Sequence, residues 1–366
     1  MIKDRYQKQK LLFYFLSRFW YPQLEVQLFY RGTMNSKPRI ITDLDTVALS
    51  PSEYGLLRPV IGDCKTLKSQ SPVNRAFWLK GIMDWFGSDS GIVLLTKDIE
   101  REHKLLANDL NIVLLSENDF KSYSLATAQE YPEVGHSFLG SLETWETYFN
   151  IGNKFSKLAE LINYSRIGFW NEENYGVKLR RSLSKLRSVC KSIDPGNKLE
   201  LGIFLELASL FAVALNELVV KIFGKLIWTD DKENFDKELK VLLWGGHDSY
   251  QYYNEIRNKL LQTTNTPSEG LSLPEWPLFL QLVRECLEKP ISTAISPLII
   301  KEYAFSFFSK QNSLIDAKEY LKILASQDRY AIKQAMLVIN YFSKCAAFPR
   351  ETNDFFMGDL MKLSRN

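Results

Sequence analysis

The 366-residue chain predicts an α/β N-terminal domain, a mixed sheet flanked by helices, followed by an all-α C-terminal domain. Three observations predict it. The stretch 39–68, RIITDLDTVALSPSEYGLLRPVIGDCKTLK, reads as two strands, 40–49 and 56–65, joined by the turn residues Ser50-Pro51-Ser52-Glu53-Tyr54-Gly55. Two short apolar runs, Gly91-Ile92-Val93-Leu94-Leu95-Thr96 and Asn111-Ile112-Val113-Leu114-Leu115, read as buried strands. From residue 142 to the end almost every segment has helical periodicity. The length suggests two domains. They are expected at 1–130 and 131–366, with the boundary inside 122–140 near Tyr131-Pro132.

The elements follow in order. Residues 4–30 read as one helix, with Leu11, Leu12, Phe15 and Phe19 at helical spacing and a kink or restart at Pro22. Glu25 is an acid in apolar company near its end, and Gly32 closes the segment. After the two strands, 72–86 reads as a helix with Val73, Phe77, Trp78, Ile82 and Trp85 on its apolar side and Arg75 and Lys80 on its more polar side. Asp98 can cap a helix over 99–110 between the two buried strands. The order helix, hairpin strands, helix, strand, helix, strand makes a mixed α/β layer with a covered sheet. In the second region, Leu314, Ala317, Leu321 and Leu324 mark one helix and 330–342 another. Breaks fall at Asp194-Pro195-Gly196, Gly245-Gly246, 263–270 and Pro290.

Composition narrows the function classes. A hydrophobic share of 45% is ordinary for a globular protein. A formal net charge of +3 predicts no polyanion partner for the surface as a whole, so any nucleic-acid surface is local. The four cysteines, Cys64, Cys190, Cys286 and Cys345, form no CxxC pair, and there are only three histidines. No structural zinc site is expected, and a reduced cytoplasmic protein fits. The opening MIKDRYQKQK-LLFYFL has an apolar run too short for a signal peptide. The segment 201–228 holds Glu206, Asn216, Glu217 and Lys221, too many polar groups for a bilayer span, and reads as a buried helix.

The chemistry sits on the two strands. Strand side chains alternate faces, so Asp43 and Asp45 share one side, and so do Asp63 and Lys65. Carboxylates on apolar strands are costly to bury without a partner. A divalent metal is a natural partner for oxygens converging from adjacent strands. The acid-x-Lys tripeptide alone carries no weight, because five others occur in the chain, such as Glu102-His103-Lys104. Only Asp63-Cys64-Lys65 ends an apolar strand, follows an acid-bearing strand and has a further acid upstream.

This order of elements and acids over residues 10–120 resembles the PD-(D/E)xK nuclease superfamily, the restriction-endonuclease-like fold. The resemblance implies an acid on the first helix, here Glu25, and a strand acid, here Asp45 in Asp45-Thr46-Val47-Ala48. It implies a final motif, here Asp63-Cys64-Lys65, with Asp where Glu is commoner. Magnesium, with manganese as a substitute, would be held by Asp45, Asp63, the carbonyl of Cys64 and Glu25. Lys65 would orient the attacking water or stabilise developing charge. Arg75 or Lys80 would contact phosphate. The implied activity is metal-dependent endonucleolytic hydrolysis of phosphodiesters, of DNA in preference to RNA, in a restriction or antiviral defence setting. The alternative is a catalytically silent scaffold of the same fold that binds a partner protein through its helical domain.

The helical domain has one basic stretch, KLRRSLSKLRSVCK over 178–191. Lys178, Arg181 and Lys185 form a stripe that either lies along a phosphate backbone or faces water. Trp244, Tyr250, Tyr252 and Tyr253 either stack bases or belong to the core.

Overall fold

The computed structural model of the chain describes residues 2–30, 39–66, 71–128, 136–225, 232–262, 270–309 and 319–364. The expected domain boundary at 130/131 and the start of the helix expected from Leu314 lie outside the described residues.

The N-terminal region runs α1 (Arg5–Ser17), β1 (Tyr21–Tyr30), β2 (Arg39–Pro51), β3 (Leu57–Lys65), α2 (Pro72–Phe86), β4 (Ser90–Leu95), α3 (Arg101–Asp109), β5 (Ile112–Ser116) and α4 (Glu117–Thr127). The five strands form one sheet in the order β1-β2-β3-β4-β5. The first three pair antiparallel, whereas β3–β4 and β4–β5 are parallel. Helices α2 and α3 supply the crossovers that parallel neighbours require.

One expectation fails here. Residues 4–30 are not a single helix: α1 stops at Ser17 and β1 follows. Phe19, at a left-handed φ of 57°, reverses the chain. From Leu24 onward Leu24, Val26 and Leu28 are buried while Glu25, Gln27 and Phe29 are less so, the two-residue period of a strand. Glu25 is therefore a strand residue, not a helix acid.

Each sheet face is covered. On one, α1 and α4 pack Leu11, Tyr14, Phe15 and Phe120 against Ala48, Val60, Cys64, Ile92 and Leu94. On the other, Ala76, Leu79 and Met83 of α2 meet Val47, Ile61 and Val93. That second core is continuous with the helical region.

The helical region comprises α5 (Leu142–Lys154), α6 (Ala159–Asn163), α7 (Tyr175–Val189), α8 (Lys198–Gly224), α9 (Lys232–Leu243), α10 (His247–Gln262), α11 (Trp276–Glu288), α12 (Ser296–Ser306), α13 (Glu319–Gln327), α14 (Arg329–Cys345) and α15 (Arg350–Ser364). Its centre is α8, the one described helix long and apolar enough to cross a bilayer, which lies mostly buried among the other helices. Its polar residues explain that placement. Asn216 donates to the carbonyl of Gly55 at 2.8 Å and to Thr293 Oγ1 at 2.7 Å. Glu206 pairs with Lys301 of α12 at 3.1 Å, both fully buried. The Lys301 ammonium also reaches Gln23 Oε1 at 2.7 Å and the Tyr21 hydroxyl at 3.2 Å. Buried charges need such partners, and here the partners tie β1 to the helices. Asn171 seals the free edge of β1 by accepting from the Phe29 N–H at 2.9 Å and donating to the Gln27 carbonyl at 2.7 Å.

Candidate active site

The site lies where β3 ends. In the antiparallel register Thr46 faces Gly62, which sets Asp45 across from Asp63 on the neighbouring strand. Lys65, two residues on, projects from the same face as Asp63. Its ammonium lies 3.1 Å from Asp45 Oδ2 and 3.9 Å from Asp63 Oδ1. Asp45, Asp63 and Lys65 thus meet in one place.

Glu25 reaches the same place from β1. The β1–β2 register runs Leu24↔Thr46 and Val26↔Leu44, which sets Glu25 across from Asp45. Glu25 has a left-handed φ of 54° within the strand. That conformation is uncommon outside glycine and strains the backbone.

The partner of Glu25 and Asp45 is a residue that the sequence reading does not single out. Lys8 of α1 is buried, its side chain only 1% exposed, with Nζ 2.5 Å from Glu25 Oε1 and 2.9 Å from Asp45 Oδ1. One signal could have found it: Lys8 falls on the apolar stripe of α1 with Leu11, Leu12 and Phe15, where a lysine needs buried acids. Helix α1 is pinned to the end of β3, because the Asp4 carboxylate accepts from the Thr66 N–H at 3.1 Å and its hydroxyl at 2.6 Å.

Asp63 is clamped by Arg75 of α2, which donates from Nε and Nη2 to the two carboxylate oxygens. The Arg75 guanidinium stacks on the Trp78 ring, 3.7 Å from its centroid. Arg75 is thus committed to Asp63 rather than free for phosphate. Lys80 lies one helical turn before Asp84 and pairs with it at 2.7 Å, on the outer face of α2. The expectation that Lys80 serves the site finds no contact there among the described residues.

Electrostatics follow from these contacts. Burial pushes the Asp45 carboxyl up, but Lys8, Lys65 and the Cys64 N–H, which donates to Asp45 Oδ2 at 2.9 Å, together hold it below the usual range. Burial pushes Asp63 up, and Arg75 only partly opposes it. Burial would lower Lys8, but Asp45 and Glu25 outweigh it and raise the ammonium. Burial drives the Cys64 thiol up, so it stays protonated. Its side chain belongs to the apolar core on the α1 face, which leaves only its backbone to serve the site.

The donor set suits a hard cation, since Asp45 and Asp63 offer carboxylate oxygens from adjacent strands. A carboxylate has about four lone-pair sites, so Asp45 Oδ1 and the two Asp63 oxygens, each facing one donor, keep another, whereas Asp45 Oδ2 already accepts from the Cys64 N–H and from Lys65 Nζ. A divalent ion between Asp45 and Asp63 would have to displace the Lys65 ammonium, which lies 3.1 Å from one and 3.9 Å from the other. Glu25 is less available, because Lys8 holds it. Among the described residues no three His, Cys, Asp or Glu side chains are already gathered around one point.

The basic stripe of α7 is not a free cationic surface. Arg181 pairs with Glu172 at 2.7 Å, and Lys185 pairs with Glu160. Lys178 lies over the Phe169 ring at 4.9 Å, and burial lowers its ammonium. The acids that neutralise the stripe come from outside 178–191. Trp244 is buried in the core, while Tyr252 and Tyr253 are exposed on α10.

No family model, curated protein or solved structure matches this chain.

Proposed function

We propose that this chain is a magnesium-dependent nuclease that hydrolyses phosphodiester bonds of nucleic acid, DNA in preference to RNA. One observation carries the reading: Asp45, Asp63 and Lys65 converge from adjacent strands at the end of a mixed sheet. Asp45 and Asp63, with the carbonyl of Cys64, would hold the ion. A bound magnesium ion would lower the pKa of its water and offset charge on the transferring phosphate. Lys65 places a positive charge beside both carboxylates, where it can orient the attacking water or stabilise developing negative charge. Arg75 fixes the Asp63 carboxylate and partly opposes the upward push of its burial. Lys8 does the same for Asp45.

A second reading is a catalytically silent scaffold that binds a partner protein through its helices. The observation that favours it is charge balance. The three carboxylates of Glu25, Asp45 and Asp63 face the three cations Lys8, Lys65 and Arg75. The deciding experiment incubates the full chain with plasmid, linear duplex and single-stranded DNA, and with RNA, with magnesium, manganese or a chelator. Cutting that requires metal supports the nuclease. No cutting with any of them, together with a protein that co-purifies stably, supports the scaffold.

A further inference from the structure

Lys8 sits where a metal-binding pair of carboxylates would otherwise face each other. Its ammonium is within hydrogen-bond distance of Glu25 and Asp45 at once, and its side chain has almost no contact with solvent. Its position is fixed from several directions. The Asp4–Thr66 hydrogen bonds hold the start of α1 against the end of β3. Leu11, Leu12 and Phe15 bury the helix just beyond it. Glu25 keeps a left-handed backbone in mid-strand opposite Asp45, and its ion pair with Lys8 opposes relaxation of that strain.

Charge counting then limits what else can enter. Lys8, Lys65 and Arg75 already balance Glu25, Asp45 and Asp63. One divalent ion between Asp45 and Asp63 displaces the Lys65 ammonium, whose side chain is 23% exposed and can turn to solvent as the buried Lys8 cannot, and leaves an excess that an incoming phosphodiester partly offsets. A second ion would have to sit between Glu25 and Asp45, on the Lys8 ammonium itself. Like charges at contact in a poorly hydrated site repel by several times their energy in water.

We propose that Lys8 is a built-in cation that fills the position between Glu25 and Asp45 and leaves this site room for a single divalent ion. The inference rests on the reading of the site as a metal centre. Lys8 is then a positioning residue: it holds Asp45 ionised and aimed at the ion, and it closes the neighbouring position. A lysine in the first helix thereby sets the metal count of the site.

The test is a titration of the full chain with Mn2+, with free Mn2+ followed by electron paramagnetic resonance. It is run on the wild type, Lys8→Gln, Lys8→Arg and Asp63→Asn, with circular dichroism as the folding control. The wild type and Lys8→Arg are expected to bind one ion per chain and Lys8→Gln two. Asp63→Asn is expected to lose at least tenfold in affinity, which assigns the ion to this site. Two ions on the wild type, or one on both the wild type and Lys8→Gln, overturn the inference and leave the metal centre standing. No ion on the wild type but binding by Lys8→Gln also overturns it, because Lys8 then excludes metal altogether. No ion on any variant overturns the metal reading itself. If Lys8→Gln does not fold, the wild-type count decides: one supports the inference and two overturn it.

Discussion

Replacing Arg75 with alanine is expected to destabilise the fold by about 3 kcal/mol. The Asp63 side chain is 4% exposed, and Arg75 donates to both of its oxygens. Removing one partner of a buried pair typically costs ~3–5 kcal/mol, because the other charge stays buried. Two features put this case at the lower end. Lys65 remains 3.9 Å from Asp63, and burial already pushes that carboxyl toward its neutral form. The lost contact with Trp78 accounts for ~0.5–1 kcal/mol of that total. The assay is urea unfolding followed by circular dichroism, extrapolated to water. It is run in the wild type and in Asp63→Asn. In the Asp63→Asn background the cost of losing Arg75 should fall to about 1 kcal/mol, since only a neutral hydrogen bond and the ring contact are lost. The double-mutant cycle should therefore return a coupling of about 2 kcal/mol. A cost within about 0.5 kcal/mol of zero, or one equal in both backgrounds, would refute the clamp and return Arg75 to the surface.

Two further predictions probe the frame around the site. Gly62→Ala should cost ~1–3 kcal/mol by overpacking, because a Cβ there would meet Thr46 Oγ1 at 2.1 Å and Leu11 Cδ1 at 2.8 Å. Gly81→Ala in α2, where nothing lies within 4 Å of the new methyl, should be neutral or stabilising in the same denaturation assay. Burial pushes the Glu302 carboxyl up to about 7, despite its hydrogen bonds from the N–H groups of Phe138 and Leu139 and from the Ser137 hydroxyl. An acid raised on folding releases its proton first from the unfolded chain. Stability is therefore lost as pH rises from about 4.5 through about 7, by roughly 3 kcal/mol. Melting temperatures from pH 4.5 to 8 should decline in the wild type, and Glu302→Gln should remove that part of the slope.

Much of the sheet is legible in the sequence because the relevant signals are local. The turn residues 50–55 separate β2 from β3, and the runs at 91–95 and 112–115 read as strands by composition alone. β1 escapes such a reading because Leu11, Leu12, Phe15 and Phe19 set a helical rhythm that extends past Ser17. The alternation Leu24-Glu25-Val26-Gln27-Leu28 is in plain view but is short. The convergence of Asp45, Asp63 and Lys65 follows from two-residue spacing and antiparallel register, so it can be expected. The cations that fill the site cannot. Lys8 meets Asp45 from a separate helix, and Arg75 meets Asp63 only because α2 folds back over β3. The same limit applies to α7, whose basic stripe looks free until Glu160 and Glu172 arrive from the preceding segments.

The most direct test of the central claim is single-turnover cleavage of nucleic acid at saturating magnesium by Lys65→Ala, with metal affinity and circular dichroism measured on the same preparation. Asp45 and Asp63 keep their positions in this variant, so the ion should still bind, while the positive charge beside the reacting phosphate is gone. The account predicts a folded, metal-binding protein that cuts ~100- to 1,000-fold more slowly than the wild type. A folded Lys65→Ala protein that cuts at the wild-type rate, or a wild type that cuts nothing at any magnesium concentration, would contradict it.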